Sequence, residues 1–156
     1  MNTIVIFENK FLDIVLTPLR NITKANGFEN DMTILEGYLT HYASDLEKGL
    51  RGKSFPAIAA HSRSESINTQ KPVHRGDPVA ALNTRNIELE CAVSAADPEK
   101  VNSNLESVLR DLKRTFATHR QDLTIIAVDF ILPEGSNRYA FMRIDIQIVY
   151  NELWDN

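Results

Sequence analysis

The few residues of this chain that could carry out chemistry lie mostly between positions 61 and 91. His61 and His74, with Asp77 nearby, could bind a metal ion or transfer protons, because imidazole and carboxylate groups do both. Their spacing matches no metal-ligand motif. The pattern therefore favours ordinary polar residues, and we predict neither a metal nor another cofactor.

Cys91 is the single cysteine, and it could act as a nucleophile if a histidine and an aspartate approached it in the fold. It alternates, however, with Ile87, Leu89 and Val93, and apolar residues at every second position are typical of the buried face of a strand. We therefore predict a core thiol. A lone cysteine also cannot form a disulfide within the chain, which favours a reducing compartment.

Glu88 and Glu90 project from the same side of that predicted strand, as the paired carboxylates of glycosidases can. Two such carboxylates more commonly form the solvated face of a strand, or a charged rim at an interface. The chain also lacks a Gly-rich phosphate loop, a GxSxG elbow and the HExxH and DxDxDG metal motifs. We therefore predict that the protein is not an enzyme.

The composition is that of a soluble globular protein. With 156 residues, 43% of them hydrophobic and 24% charged, a single domain over residues 1–156 can bury a core of its own. The net charge of -4 argues against a protein that neutralises many phosphates, so we predict no sequence-specific nucleic-acid binding. The apolar run at residues 4–7 has no basic leader and is soon interrupted by Glu8. We therefore expect a cytoplasmic, soluble product with no membrane partner.

The N-terminal third predicts two helices. Apolar residues at spacings of three and four indicate a helix over residues 4–25, with a kink or break just before Pro18, because proline cannot donate a backbone hydrogen bond. Gly27 ends this helix. A second helix is predicted over residues 32–48, with Asp31 as its N-terminal cap.

The middle of the chain predicts two strands separated by a loop. An extended stretch over residues 55–67 leads into a long polar loop over residues 68–83, and loops of this length usually have a function. Within it we expect residues 71–78 to be mobile in the free protein and to become ordered against a partner. A strand with clean alternation follows over residues 85–95.

A well-marked helix and a hairpin complete the pattern. Asp97 caps the helix, Pro98 suits its first position, and the helix runs to about Thr118. Residues 122–150 then predict a β-hairpin, and its first strand, residues 125–132, is too apolar to be exposed on either face. The order α-α-β-β-α-β-β favours an α+β fold with N-terminal helices and a mixed or antiparallel sheet of about four strands, with a helix packed on one face.

This succession of elements resembles that of phage tail terminator (tail completion) proteins, small α+β subunits that form a ring on top of a completed tail tube. The resemblance spans most of the chain. It is carried by the N-terminal helix, the extended segment Phe55-Pro56-Ala57-Ile58, the loop at 68–83, the strand from Ile87 to Val93, the helix capped by Asp97-Pro98 and the hairpin ending Ile146-Gln147-Ile148-Val149-Tyr150. The second helix at 32–48 departs from the simplest family pattern.

The resemblance implies a structural virion protein at the head-proximal end of the tail, assembled in the host cytoplasm. Such a protein forms a homo-oligomer, typically a hexameric ring, that stops growth of the tail tube. It contacts the tail tube protein and a head-completion or connector protein, with DNA passing through the ring. The residues expected at a subunit or tube interface are Lys71, His74, Arg75, Asp77, Arg143, Asp145 and Trp154.

Two other functions remain open at this point. The chain could be a different head-to-tail connector protein, such as a stopper. It could also be a small-molecule-binding or nucleotide-binding α+β module, including an enzyme whose site residues converge only in the fold. For Trp154, contact with a partner and packing back onto the protein's own core are both compatible with the sequence.

Overall fold

The described part of the chain forms a mixed sheet with the described helices packed on one face. A computed structural model describes residues 11–39, 55–70, 74–119, 123–131 and 139–154. The strands are β1 (Thr33–Glu36), β2 (Ala57–Gln70), β3 (Val79–Ser94), β4 (Leu123–Ile131) and β5 (Tyr139–Trp154). The α-helices are α1 (Thr17–Arg20) and α2 (Val101–His119), with a π-helical segment at Leu12–Leu16 and 3-10 turns at Lys24–Asn26 and Pro98–Lys100.

The strands are arranged in the order β1-β2-β3-β5-β4. β1 runs parallel to β2, and the other neighbouring pairs are antiparallel. The predicted α+β class is therefore confirmed. The described sheet has five strands rather than about four, and its element order is α-β-β-β-α-β-β.

The two faces of the sheet differ in what covers them. On the helix face, Ile58, Leu89 and Ile146 pack with the buried side of α2 and with the N-terminal helical segment into the main core. On the opposite face, a smaller cluster contains Ala59 and Leu39. The alternation of β3 and β5 explains this division, because successive side chains of a strand point to opposite faces.

Helix α2 begins where the sequence predicts. The side chain of Asp97 accepts a hydrogen bond from the backbone N–H of Glu99 at 3.2 Å, and Pro98 occupies the first helical turn. A 3-10 turn at Pro98–Lys100 precedes the α-helix proper. The apolar stripe of α2 is buried against the helix face, with Leu105 and Leu112 fully enclosed, so this prediction is confirmed.

The first predicted helix ends earlier than expected. The part of the prediction over residues 4–10 lies outside the described residues. The π-helical segment changes to an α-helix at Thr17, beside Pro18, where the sequence predicts a kink or break. The α-helix ends at Arg20, and Gly27, with φ of +87°, caps the following 3-10 turn.

The prediction of a second helix at residues 32–48 is wrong at its start. Thr33–Glu36 forms strand β1, which pairs with the beginning of β2. Asp31 does not cap a helix, because its Oδ1 accepts a hydrogen bond from the backbone N–H of Lys24 at 2.8 Å. Gly37, with φ of +115°, lies outside the helical region of the backbone. Residues 40–48 of this prediction lie outside the described residues.

The long polar loop predicted at residues 68–83 is also wrong. β2 continues to Gln70 and β3 begins at Val79, so the two strands together cover half of that stretch. Residues 74–76 form a bend and a turn, and Lys71 lies outside the described residues. The polar composition misled the prediction, because the outer half of β2 is exposed and therefore shows no apolar alternation.

The C-terminal hairpin is confirmed as an antiparallel pair of β4 and β5; the predicted turn at 133–137 and residues 122 and 132 lie outside the described chain. β4, however, forms an edge of the described sheet, and it is not covered on both faces as its apolar sequence predicts. Ile126 is 57% exposed and Phe130 51%. A register shift between Ile125 and Ala127 places Ile126 opposite no residue of β5.

Asp111 of α2 anchors the segment between α1 and β1. Its carboxylate accepts hydrogen bonds from the backbone N–H groups of Glu29 and Asn30, at 3.1 and 3.0 Å, and from Nδ2 of Asn30 at 2.9 Å. Arg114 adds a bond from Nη1 to the carbonyl of Gly27 at 2.7 Å. These contacts fix the approach of the chain to β1. Among the described helices, none is long and apolar enough to cross a membrane.

Candidate interaction surfaces

A cluster of charged side chains occupies the middle of the opposite face. The strand register places His61, Glu88 and Asp145 in one row across β2, β3 and β5, and it places Glu90 beside Arg143 in the next row. Glu88 is only 7% exposed. Its two carboxylate oxygens are engaged by different arginines, with Arg63 Nη1 at 3.1 Å and Arg143 Nε at 3.3 Å.

Arg63 reaches this cluster because of an irregularity in β2. The register between β2 and β3 shifts between Ser62 and Ser64. Arg63 is therefore the extra residue of a β-bulge, and its side chain points toward the opposite face. Its Nη1 also lies 3.7 Å from Asp145 Oδ1. The buried carboxylate of Glu88 is therefore neutralised by two guanidinium groups, as a buried charge requires.

His61 lies between two carboxylates in the same cluster. Its Nε2 is 3.9 Å from Glu88 Oε1, and its Nδ1 is 3.9 Å from Glu90 Oε1. Ligand atoms of the three residues lie within 4.8 Å of one another, so they could in principle share a metal ion. Two guanidinium groups bind Glu88 at the same place and would repel a divalent cation. The donor set therefore fits a network of ion pairs better than a metal site.

Two interpretations of these residues from the sequence are corrected. His61 is not grouped with His74 and Asp77, because residues 74–78 lie at the far end of the β2–β3 hairpin. Glu88 does not belong to a solvated strand face, since it is buried and paired. Neither result could be read from local spacing, because both depend on which residues of β2 and β5 lie opposite β3.

The predicted core position of Cys91 is confirmed. The side chain is fully enclosed in the main core. Burial raises the pKa of its thiol from 9.0 to about 12, so at neutral pH the group is a thiol and not the thiolate that acts as a nucleophile.

Beyond the charged cluster, β2, β3 and β5 continue as a three-stranded arm. The arm comprises residues 64–70 of β2, 79–86 of β3 and 147–154 of β5. All residues of β2 from 62 to 70 are exposed. A shallow cavity of about 540 Å³ lies at its outer end, lined by polar and apolar side chains such as Asn68, Leu82 and Asn151.

The opposite face of the arm carries no charged side chain. The strand register defines four rows of three residues on this face, and none of these twelve residues is charged. The 24% charged fraction of the chain would give about three charged residues among twelve. The cores of protein interfaces are likewise depleted of charge. The rows are Ser64–Asn86–Gln147, Ser66–Thr84–Val149, Asn68–Leu82–Asn151 and Gln70–Ala80–Leu153.

On the helix face, the base of the arm is held by a network of three side chains. Arg85 donates from Nε to Glu65 Oε1 at 3.1 Å and from Nη2 to the hydroxyl of Tyr150 at 2.9 Å. The Tyr150 hydroxyl in turn donates to Glu65. The network connects the three strands of the arm through their side chains, so we expect it to stiffen the arm.

The alkaline pH dependence of stability should report on Tyr150. Burial, followed by the hydrogen bond to Glu65, raises the pKa of Tyr150 from 10.0 to about 12. The folded protein keeps a proton that the unfolded chain loses, so this contribution is complete below pH 10 and is lost as the pH rises toward 12. Between pH 9 and 11.5, urea titrations should show a larger fall in unfolding free energy for the wild type than for Tyr150→Phe. Equal falls in the two proteins would contradict this assignment.

The structure divides the predicted interface residues between two places. His74, Arg75 and Asp77 are exposed at the tip of the arm. Trp154 is paired with Val79, close to the same tip, as the last described residue of β5. Trp154 is therefore part of a strand and does not fold back onto the core. Arg143 and Asp145 lie instead in the charged cluster, and Lys71 lies outside the described residues.

No family model matches the chain, and no curated protein matches it. The surfaces described above are therefore the basis for a proposal about function.

Proposed function

We propose that the protein is a structural virion component that forms a ring at the head-proximal end of a phage tail. The ring caps the tail tube, stops its growth and offers an attachment surface for the head. In this proposal the chain is not an enzyme and needs no cofactor. Its partners are further copies of itself, most simply six in a ring, the tail tube protein and a head-completion or connector protein, with DNA passing through the ring.

The arm is the observation that carries this proposal. A ribbon of three strands, with β2 exposed over nine consecutive residues, leaves much of its backbone and side-chain surface in contact with solvent. Leu153 on this ribbon is 69% exposed, and Ile67 and Trp154 are also exposed. Natural sheets normally shorten, charge or cover such strands. An arm of this kind is most easily explained if an assembly buries it.

A second exposed surface, at β4, supports the same proposal. Ile126, Phe130 and Ile131 are exposed along this edge strand. β4 pairs with residues 141–148 of β5, whereas the arm uses residues 147–154, so the two surfaces overlap only at residues 147–148. A ring that also binds a tube and a head connector needs several different patches on each subunit, and the chain offers two in separate places.

The charged cluster supports a structural role over a catalytic one. The carboxylate of Glu88, its most buried acid, is already engaged by Arg63 and Arg143. A general base must instead be available to a substrate proton. We therefore propose that the cluster stabilises the opposite face of the sheet, with Arg143 and Asp145 at its edge available to a neighbouring subunit.

The mass of the purified protein, measured by light scattering after size-exclusion chromatography, tests the proposal. The measurement is made on the protein alone and after mixing with tail tubes purified from the same phage, and the complexes are examined by negative-stain electron microscopy. We expect a ring alone or on tubes, seated at one end only. A protein that stays a monomer and never binds tubes would refute the proposal. Rings that bind the head connector and ignore tubes would instead indicate a stopper.

Shortening the tip of the arm should abolish capping without unfolding the protein. Gln70 and Ala80 are paired across the hairpin, so residues 71–79 can be replaced by Asn-Gly, which favours a two-residue turn. The variant removes His74, Arg75 and Asp77, which we propose contact the tube or a neighbouring subunit. Circular dichroism should be unchanged, while tubes no longer carry a cap. Asn104→Lys, at an exposed position of α2, is a control for surface change. Tails of normal length with the shortened arm would exclude a role for the tip.

A further inference from the structure

The arm has two sheet edges that no described strand covers. β1 pairs with β2 only over residues 57–60, so the outer half of β2 lies beyond it. β4 pairs with β5 no further than Leu123 opposite Ile148, so residues 149–154 of β5 extend past it. β3 lies between the two edges and is paired on both sides. Among the described strands, the arm is thus a three-stranded ribbon with an uncovered edge on each side.

The strand directions allow these two edges to meet between copies. β2 and β5 are both antiparallel to β3, so they run parallel to each other at opposite sides of the ribbon. When copies are related by rotation about one axis, β5 of one copy and β2 of the next lie side by side in the same direction. Every copy then uses both edges of its arm, and closure of the ring leaves no edge of an arm uncovered.

We propose that the arms join edge to edge into a closed β-barrel, with residues 149–154 of one copy beside residues 64–70 of the next. The inference rests on the ring proposed above and specifies the contact that closes it. Each edge pairs with a second copy of this chain. The two strands that meet, β5 of one copy and β2 of the next, are parallel.

Apolar side chains at the two edges support a second copy as the occupant. Ile67 on β2 and Trp154 on β5 are both exposed and, from the strand register, both lie on the helix face. In a shared sheet they would lie on the same face of adjacent strands, where an aromatic and a β-branched side chain stabilise the pairing.

The charges of the arm do not oppose such a contact. The opposite face has none, so neighbouring copies bring no like charges together there. On the helix face, Glu65 is bound by Arg85, and Glu152 accepts a hydrogen bond from Asn83. The acidic groups nearest the two edges are therefore already engaged within each copy.

The dimensions of the barrel suit a channel. Six arms supply eighteen strands, and strands about 4.8 Å apart with a tilt of about 40° close at a backbone diameter of about 35 Å. Natural barrels with a similar number of strands enclose an aqueous channel. The helix face carries α2, so this face must lie outside. The uncharged face then lines the channel and neither binds nor repels a polyanion strongly.

Cysteine cross-linking between copies tests the predicted edges. Ser66→Cys and Asn151→Cys place one thiol on each edge, both on the opposite face. Adjacent strands bring such residues within disulfide distance, whereas β3 separates the two sites within one copy by about 10 Å. After mixing and oxidation we expect dimers that contain one copy of each variant, and a ladder of oligomers from the double variant. Val149→Cys and Leu153→Cys, each mixed with Ser66→Cys, repeat the test for pairings shifted by two residues in either direction along β5.

The controls separate failure of the barrel from failure of the ring. Neither single variant should cross-link to itself, and Asn104→Cys, at an exposed position of α2, should not cross-link to Ser66→Cys. Ile67→Lys should convert rings into monomers, whereas Asn104→Lys, at an exposed position of α2, should leave them intact. If rings persist with Ile67→Lys, and none of the cysteine pairs on β2 and β5 cross-links, the proposed barrel is wrong but the proposed ring is not contradicted. Self-cross-linking of Ser66→Cys would also overturn the barrel, because that outcome indicates a two-fold contact. A wild type that never forms rings would overturn both.

Discussion

Replacing Asp111 with alanine is expected to lower the free energy of unfolding by about 3 kcal/mol. The carboxylate is 2% exposed and accepts three hydrogen bonds from Glu29 and Asn30. Hydrogen bonds to a charged group contribute roughly 1.5–3 kcal/mol each and are not additive. The substitution leaves two backbone donors without their acceptor, although both lie near enough to the surface for water to replace part of the loss.

Urea denaturation followed by circular dichroism measures this effect. In a chain of this size, a loss of about 3 kcal/mol should lower the Tm by roughly 6–12 °C. Asp111→Asn keeps one acceptor oxygen and should lose about half as much. Glu106→Ala, at an exposed position of the same helix, should change stability by less than about 0.5 kcal/mol. If Asp111→Ala and Glu106→Ala behave alike, the segment between α1 and β1 is not held by this carboxylate.

Replacing Glu88 with alanine is expected to lower the free energy of unfolding by roughly 2–3 kcal/mol. The substitution leaves Arg63 and Arg143 without the carboxylate that they share. Removing one partner of a fully buried ion pair costs about 3–5 kcal/mol. Here both arginine side chains are about half exposed to solvent, so water can solvate them and the cost should be smaller.

A matched series distinguishes charge from packing at this position. Glu88→Gln keeps the shape and should cost roughly 1–2 kcal/mol, while Glu36→Gln, on an exposed strand position, should cost less than about 0.5 kcal/mol. A double-mutant cycle with Arg143→Ala should show a coupling energy of at least about 0.5 kcal/mol. Strict additivity of the two substitutions would mean that the ion pair between Glu88 and Arg143 does not contribute to stability.

Elements with strong local signals were predictable from the sequence. Helix α2 was identified because Asp97, Pro98 and the apolar spacing all act within a few residues of one another. The burial of Cys91 followed from the alternation of β3. The C-terminal hairpin was identified from two apolar runs separated by turn residues, although β4 proved to be an exposed edge.

Elements that depend on distant partners were not predictable. β1 has only four residues, and its pairing with β2 outweighs the helical pattern around it. The arm was missed because the outer half of β2 is polar on both faces, and its strands are held mainly by pairing with each other. The charged cluster required both the register of three strands and the irregularity at Arg63.

The sequence by itself determined the α+β class, helix α2 and the core position of Cys91, because caps, spacing and alternation are local properties of the chain. Only the tertiary structure decided which polar residues meet. It placed His61 beside Glu88 and away from His74, it joined β2, β3 and β5 into an arm, and it left β4 at an edge. These outcomes follow from strand order and register, which bring together residues that are far apart in the chain. Strand order and register cannot be read from the spacing of neighbouring residues in the sequence.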